Sequence, residues 1–196
     1  MKKSVAILLA VLCVLAVVFL WGVGVYNDLV ASQENVESAW AQVENQYQRR
    51  ADLVPNLVAT VKGYAKHEQE TLDQVVEARA KATQITIDPS NATPQQLAAY
   101  QSAQGELTQA LGRLLAVAEN YPDLKANQNF LDLQQQLEGT ENRIAVARQL
   151  FNDSARAYNT SLRKFPNNII ASMGGFEKKP YFEAEQAAKQ APKVEF

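Results

Sequence analysis

Few side chains in this sequence could do chemistry, and those few lack partners at useful spacing. His67 is the one histidine, in Tyr64-Ala65-Lys66-His67-Glu68. A general base or metal ligand needs a second histidine, a cysteine or a converging carboxylate, so an isolated histidine on an exposed helical stretch reads as a surface residue. Cys13 is the one cysteine and lies within an apolar run, which excludes a disulfide framework or a CxxC site. Glu34, Glu37 and Glu44 recur at helical spacing, a pattern more typical of a solvated acidic face than of a catalytic pair. Asp88-Pro89-Ser90-Asn91 is too sparse for a calcium loop. Ser161 and Lys164 are three apart on a helix, with no glycine-rich turn to build an oxyanion hole. The expectation is therefore a non-enzymatic protein with no cofactor and no bound metal.

One polar constellation stands out. Arg49, Arg50, Asp52 and Asn56 flank Pro55, where an interrupted helix would free backbone groups that need partners. Glu138, Glu141, Asn142 and Arg148 fall on a later helical stretch that could face them. The favoured reading is a buried polar network fixing helix register. The competing reading is a site for a ligand or protein partner.

The elements that must position these residues are helical. The chain has 196 residues, 47% of them hydrophobic, with a formal net charge of −2. That charge balance argues against a nucleic-acid footprint, and the length suits one domain with an appendage. Phe130, Leu133, Leu137, Thr140, Ile144, Ala147, Phe151, Ser154 and Tyr158 follow strict 3-4 spacing, and Leu162 and Phe165 extend it. This predicts one long helix closed by Pro166, with Asn127 or Asn129 as N-cap. Within it Phe151-Asn152, Tyr158-Asn159 and Phe165-Pro166 repeat every seven residues. Each asparagine is placed to bridge from its amide to a neighbouring helix. Thr93-Pro94-Gln95-Gln96 predicts a capping box opening a second helix as far as Tyr121-Pro122. Residues 83–91 read as the loop before it. A helical pattern from about Asn27 to Ala82 is expected to kink or break at Pro55, so that three long helices become four segments. Residues 167–176 should fold back onto the bundle, and residues 183–196 should form a flexible tail.

Residues 5–25, from Val5 past Trp21 to Val25, are apolar or glycine throughout. At about 1.5 Å per residue they reach roughly 31 Å, one hydrocarbon core. Lys2 and Lys3 precede the run, and the next basic residue is Arg49, which predicts a cytoplasmic N-terminus and an exported remainder. The run is too long for a cleaved signal peptide, and Cys13 lies too deep in it for a lipoprotein site. Residues 1–25 are thus expected to anchor the helical part, residues 26–182, in the bilayer.

These residues carry a family resemblance. The N-terminal anchor is followed by Ala39-Trp40-Ala41-Gln42-Val43-Glu44 and by residues 49–58, RRADLVPNLV. Further on come residues 121–127, YPDLKAN, residues 137–144, LEGTENRI, the seven-residue echo and Phe182-Glu183. Together they resemble the LemA family across the chain to about Phe182. The resemblance implies an all-helical, elongated antiparallel bundle on a single anchor in the bacterial cell envelope. It brings no established activity and no catalytic residues. Members are associated with envelope stress, a membrane metalloprotease and, in one branch, magnetosome membrane assembly. The family is described with its short N-terminus outside, whereas the lysine placement here predicts the opposite. The leading expectation is a membrane-anchored scaffold or adaptor for an envelope protein, a membrane protease among the candidates. A self-assembling, membrane-shaping protein and an envelope ligand sensor are the alternatives.

Overall fold

The computed structural model describes residues 2–65 and 67–183. All its regular structure is helical, with no strand among the described residues. The expected tail therefore falls outside the described residues apart from Glu183. Six helices follow in order: α1 (Lys2–Tyr64), α2 (Gln69–Gln84), α3 (Pro94–Ala118), α4 (Pro122–Lys125), α5 (Gln128–Arg163) and α6 (Asn167–Met173).

Helix α1 has 63 residues, about 95 Å at 1.5 Å per residue. Its first part is long and apolar enough to cross a bilayer, and side chains from Val5 to Leu20 are exposed. A stripe then begins that is buried at every step: Val36, Trp40, Val43, Tyr47, Arg50, Val54, Leu57 and Val61. This 3-4 spacing is unbroken through Pro55, and α1 is one helix from Lys2 to Tyr64, so the expected break is absent. Pro55 is exposed, on the face opposite the stripe. Its ring removes the N–H that would bond the carbonyl of Ala51, and that carbonyl instead accepts from Arg79 Nε at 2.8 Å. The helix ends at Tyr64, one turn past Val61, and the chain reverses before α2, Glu68 N–H donating to the carbonyl of Ala65. His67 is exposed, but in this reversal rather than on a helix.

Helix α3 opens as expected. Gln96 N–H donates to Thr93 Oγ1 at 3.2 Å, and Thr93 N–H donates to Gln96 Oε1 at 2.9 Å. The N-cap of α5 is Asn127, whose Oδ1 accepts from Phe130 N–H at 3.1 Å. The seam of α5 is buried or half-buried from Phe130 to Leu162. Phe165 departs from it: the helix has ended at Arg163, and Phe165 is 82% exposed.

Contacts along the two longest helices fix their relative direction. Tyr64 accepts from Asn127 Nδ2 at 2.8 Å, Gln46 meets Arg143, and Trp40 packs on Phe151. From Tyr64 back to Trp40 is 24 residues, and so is Asn127 forward to Phe151. Equal steps in opposite senses mean antiparallel helices with nearly aligned axes. Helices α2 and α3 also run oppositely, with Arg113 beside Gln74 and the Gln104 amide on the carbonyl of Ala82.

The chain then returns. After Gly174 and Gly175, the latter at φ 72° where glycine is favoured, Phe176 meets the ring of Tyr26 at 5.4 Å. Val25, expected to close the lipid-facing run, is 9% exposed and belongs to the core beside Leu29, Leu162 and Ala171.

Candidate functional site

The polar constellation near Pro55 resolves into a smaller and different set. Arg50 is 1% exposed and sits at a core position of α1. Its Nη1 donates to Thr108 Oγ1 at 2.6 Å and to Glu141 Oε1 at 2.7 Å. Its Nη2 donates to the side-chain oxygen of Gln104 at 2.6 Å and to the Gln104 carbonyl at 3.1 Å. The guanidinium also lies over the Tyr47 ring, 5.2 Å from its centroid. One carboxylate, one hydroxyl and one amide thus compensate a charge that burial alone would make costly. The node joins α1, α3 and α5.

Of the eight residues expected to form the network, Arg50 and Glu141 come together. Arg49, Asp52, Asn56, Glu138 and Asn142 are exposed. Asp52 accepts from Gln48, and Glu138 from Gln134, each one turn away on its own helix. Asn56 gives its carbonyl to Thr60. Arg148 serves elsewhere: its Nη2 donates to the carbonyl of Glu183 at 3.0 Å, and it lies over Phe182 at 5.0 Å. The misplaced ones sit off the buried stripes, where a helix turns them to solvent.

Sequence reasoning missed Gln104, Thr108 and Arg79. A signal for Gln104 was present. Leu97, Tyr100, Gln104, Leu107, Leu111, Leu114 and Ala118 are buried at strict 3-4 spacing, and Gln104 is the one amide among them.

Beside the node lies an aromatic cluster. Trp40 is within 5.8 Å, centroid to centroid, of Tyr100, Phe151 and Phe182, and Tyr47 packs edge-on against Tyr100 at 5.5 Å. Burial pushes the Tyr100 phenol well above its ordinary value. Tyr158, fully buried nearby, has an OH with no hydrogen-bond partner, and burial pushes its pKa up to about 12.

Phe182 reaches this cluster on an extended segment, residues 176–183, held by side-chain amides. Asn159 Nδ2 donates to the Lys179 carbonyl at 2.8 Å, and its Oδ1 accepts the Lys179 N–H at 2.9 Å. Asn152 does the same for Phe182, at 3.0 and 2.9 Å. Gln101 of α3 holds both backbone groups of Glu183, at 2.8 and 3.3 Å. The asparagines thus bridge to an extended strap, not to a helix as expected. The seven-residue repeat has a geometric reason. Seven helical residues rise about 10.5 Å and three extended residues about 10 Å, so Asn159 and Asn152 meet Lys179 and Phe182 in register.

Lys179 is buried under the strap, its Nζ donating to the Ser90 carbonyl at 2.5 Å. Burial holds this amine below its ordinary value, against the opposing pull of Glu37, Asp88 and Glu177. Glu37 is half-buried and accepts from Gln33 and Ser90, so it is no part of a solvated acidic face, whereas Glu34 and Glu44 are exposed. Asp88 spends both carboxylate oxygens on Ser90 N–H and the Asn91 amide. The Ser90 N–H above all holds its pKa below the usual range. Among the described residues no three His, Cys, Asp or Glu side chains gather around one point.

Chemically, these groups bind one another. The Arg50 node is filled by the protein's own side chains. An open groove beside the strap, about 600 Å³, runs along Arg148, Gln149, Asn152, Arg156 and Tyr181.

A sequence model described as the LemA family matches residues 39–196. The chain is 28% identical over 179 residues to magnetosome protein MamQ 2 of Paramagnetospirillum magneticum and to magnetosome protein MamQ of Magnetospirillum gryphiswaldense. Both alignments cover 83% of this chain and 66% of the relative, so the chain spans just under two thirds of those proteins. It is 24% identical over 164 residues to protein LemA of Metamycoplasma hominis, covering 84% of this chain and 71% of the relative.

Proposed function

The chain belongs to the LemA family, and we propose that it is a non-enzymatic scaffold or adaptor, an elongated antiparallel helical bundle presented to envelope partners from a single membrane anchor. The observation that carries this reading is the continuity of α1. One helix is exposed and apolar from Val5 to Trp21, then becomes the central element of the core. No linker separates the two parts, so a load on the bundle would be transmitted to the membrane segment as through a rod. Arg50, Gln104 and Glu141 then act as register pins among three helices. The lysines before the run support an orientation with the N-terminus in the cytoplasm and the bundle on the far side of the inner membrane.

The anchor is tested by alkaline extraction of membranes carrying the full chain. The wild type should stay in the pellet, and a variant with Leu9, Val14 and Val18 each changed to Arg should be released. Release of the wild type would overturn the anchor. A C-terminal reporter active only in the cytoplasm would overturn the orientation.

A second reading, a self-assembling membrane-shaping protein, draws on the relatives named as magnetosome proteins. Concentration-dependent association of the purified full chain, with deformation of vesicles, would favour it over the adaptor.

A further inference from the structure

Beyond the apolar run of α1, the two most exposed large apolar side chains among the described residues are Phe165 and Met173, each at 82%, and Ile169 between them is half exposed. They follow one another at intervals of four, in the turn before α6 and along it. Ile169 and Met173 share one face of α6, while Ala171, on the opposite face, is buried in the core.

The location of α6 decides what can cover that face. The side chain of Ile170 lies 3.5 Å from the position a Cβ would take on Gly22. Phe176, just past α6, meets Tyr26. Gly22 lies inside the apolar run, three residues before its end, or about 4.5 Å along the axis. A group in contact with Gly22 shares its depth. If residues 5–25 fill the hydrocarbon core, α6 cannot stand clear in water; it must rest at the boundary between acyl chains and headgroups. The side chains opposite Ala171, those of Ile169 and Met173, are apolar, as that position requires, with exposed Asn168 and Ser172 at their flank. Arg163, Lys164 and Lys178 are exposed beside it, with stems long enough to reach the phosphates.

We infer that Phe165, Ile169 and Met173 form a second membrane contact, a short interfacial foot that seats the bundle on the bilayer beside the spanning part of α1. The inference rests on the reading of α1 as an anchor and deepens it. A bundle held by one helix alone could swivel about that axis; a foot beside it fixes which face is turned toward the membrane.

The single native cysteine permits a test that separates the two claims. The full chain is reconstituted in phosphatidylethanolamine–phosphatidylglycerol vesicles and labelled at Cys13 with an environment-sensitive fluorophore. In a Cys13→Ser background the same label is placed at Met173→Cys, and at Gln135→Cys on the exposed face of α5 as reference. All three positions are exposed in the protein, and circular dichroism checks that the helical content is kept. Nitroxide lipids bearing the quencher deep or shallow in the acyl chain report depth, and aqueous iodide reports exposure to water. The foot predicts deep quenching at Cys13, shallow quenching at position 173, and iodide quenching there at least roughly twofold weaker than at position 135. Deep quenching at Cys13 with position 173 as open to iodide as position 135 would overturn the foot and leave the anchor standing. No lipid quenching at Cys13 would remove the anchor, and the foot with it.

Discussion

Arg79 donates from Nε to the carbonyl of Ala51 at 2.8 Å, occupying the acceptor that Pro55 leaves without a helical donor. A proline inside a helix normally ends or kinks it. Here α1 continues because the freed acceptor is met by a cation from α2, and because the ring projects into solvent. The prediction is that Arg79→Met lowers stability by about 1.5–3 kcal/mol, the range for hydrogen bonds to charged groups. In a Pro55→Ala background, where residue 55 regains its N–H, the same substitution should cost less than half as much. Thermal unfolding of the full chain in detergent measures both. Equal costs in the two backgrounds would contradict the pairing.

At the Arg50 node, Arg50→Met should cost about 1–3 kcal/mol, because it leaves the buried oxygens of Gln104 without their donor while the half-exposed Glu141 carboxylate can turn to water. Glu141→Gln should cost clearly less, because Thr108 and Gln104 still hold the guanidinium and Glu141 is 39% exposed. The charge swap Arg50→Glu with Glu141→Arg should fail to restore stability. A glutamate at position 50 would face the Gln104 carbonyl, an acceptor with no proton to offer. Full recovery in the double variant would show that the ion pair alone sets the energetics.

The strap yields a prediction at single-residue resolution. Asn159→Ala removes both partners of the Lys179 backbone, and Asn152→Ala both partners of the Phe182 backbone. Hydrogen exchange should speed up at the Lys179 amide in the first variant and at the Phe182 amide in the second, each more than at the other site. Unchanged exchange at both amides would mean that the strap is held by Phe182 packing and not by the clamps.

Tyr158 predicts a dependence on alkaline pH. Its pKa in the folded chain is raised to about 12 from an ordinary 10.0. The stability tied to its protonated form is therefore fully present below pH 10 and lost as the pH rises through about 12. Tyr100 shifts in the same direction, so the Tyr158→Phe variant isolates one contribution. That variant should lose less stability than wild type between pH 10 and 12. At neutral pH it should be unchanged or up to about 1 kcal/mol more stable, because it removes a buried hydroxyl with no partner. A steeper alkaline loss in the variant would contradict the assignment.

Much of the fold was legible because helical periodicity is a local signal. The Thr93 capping box, the Asn127 cap and the seam from Phe130 to Leu162 could be read from spacing and residue type alone. The Pro55 break was misread because the compensating donor, Arg79, lies 28 residues on from Ala51, and the sequence carries no mark of that pairing. Arg50 was recognisable as unusual and Glu141 was among its expected companions, but α3 was not searched for polar intruders in its buried stripe, where Gln104 sits. The asparagine echo was visible as a repeat. Its partner, an extended strap, has no periodicity of its own to announce it.

The most direct test of the adaptor reading is photocrosslinking in intact cells, with the full chain carrying a photoreactive residue at exposed positions such as Gln135, Gln149 and Arg156. Captured proteins are then identified by mass spectrometry. The account predicts one reproducible envelope partner, crosslinked from neighbouring positions on one face and lost when that face is substituted. Self-crosslinks alone at every position would contradict it, and the chain would be read as a self-assembling scaffold.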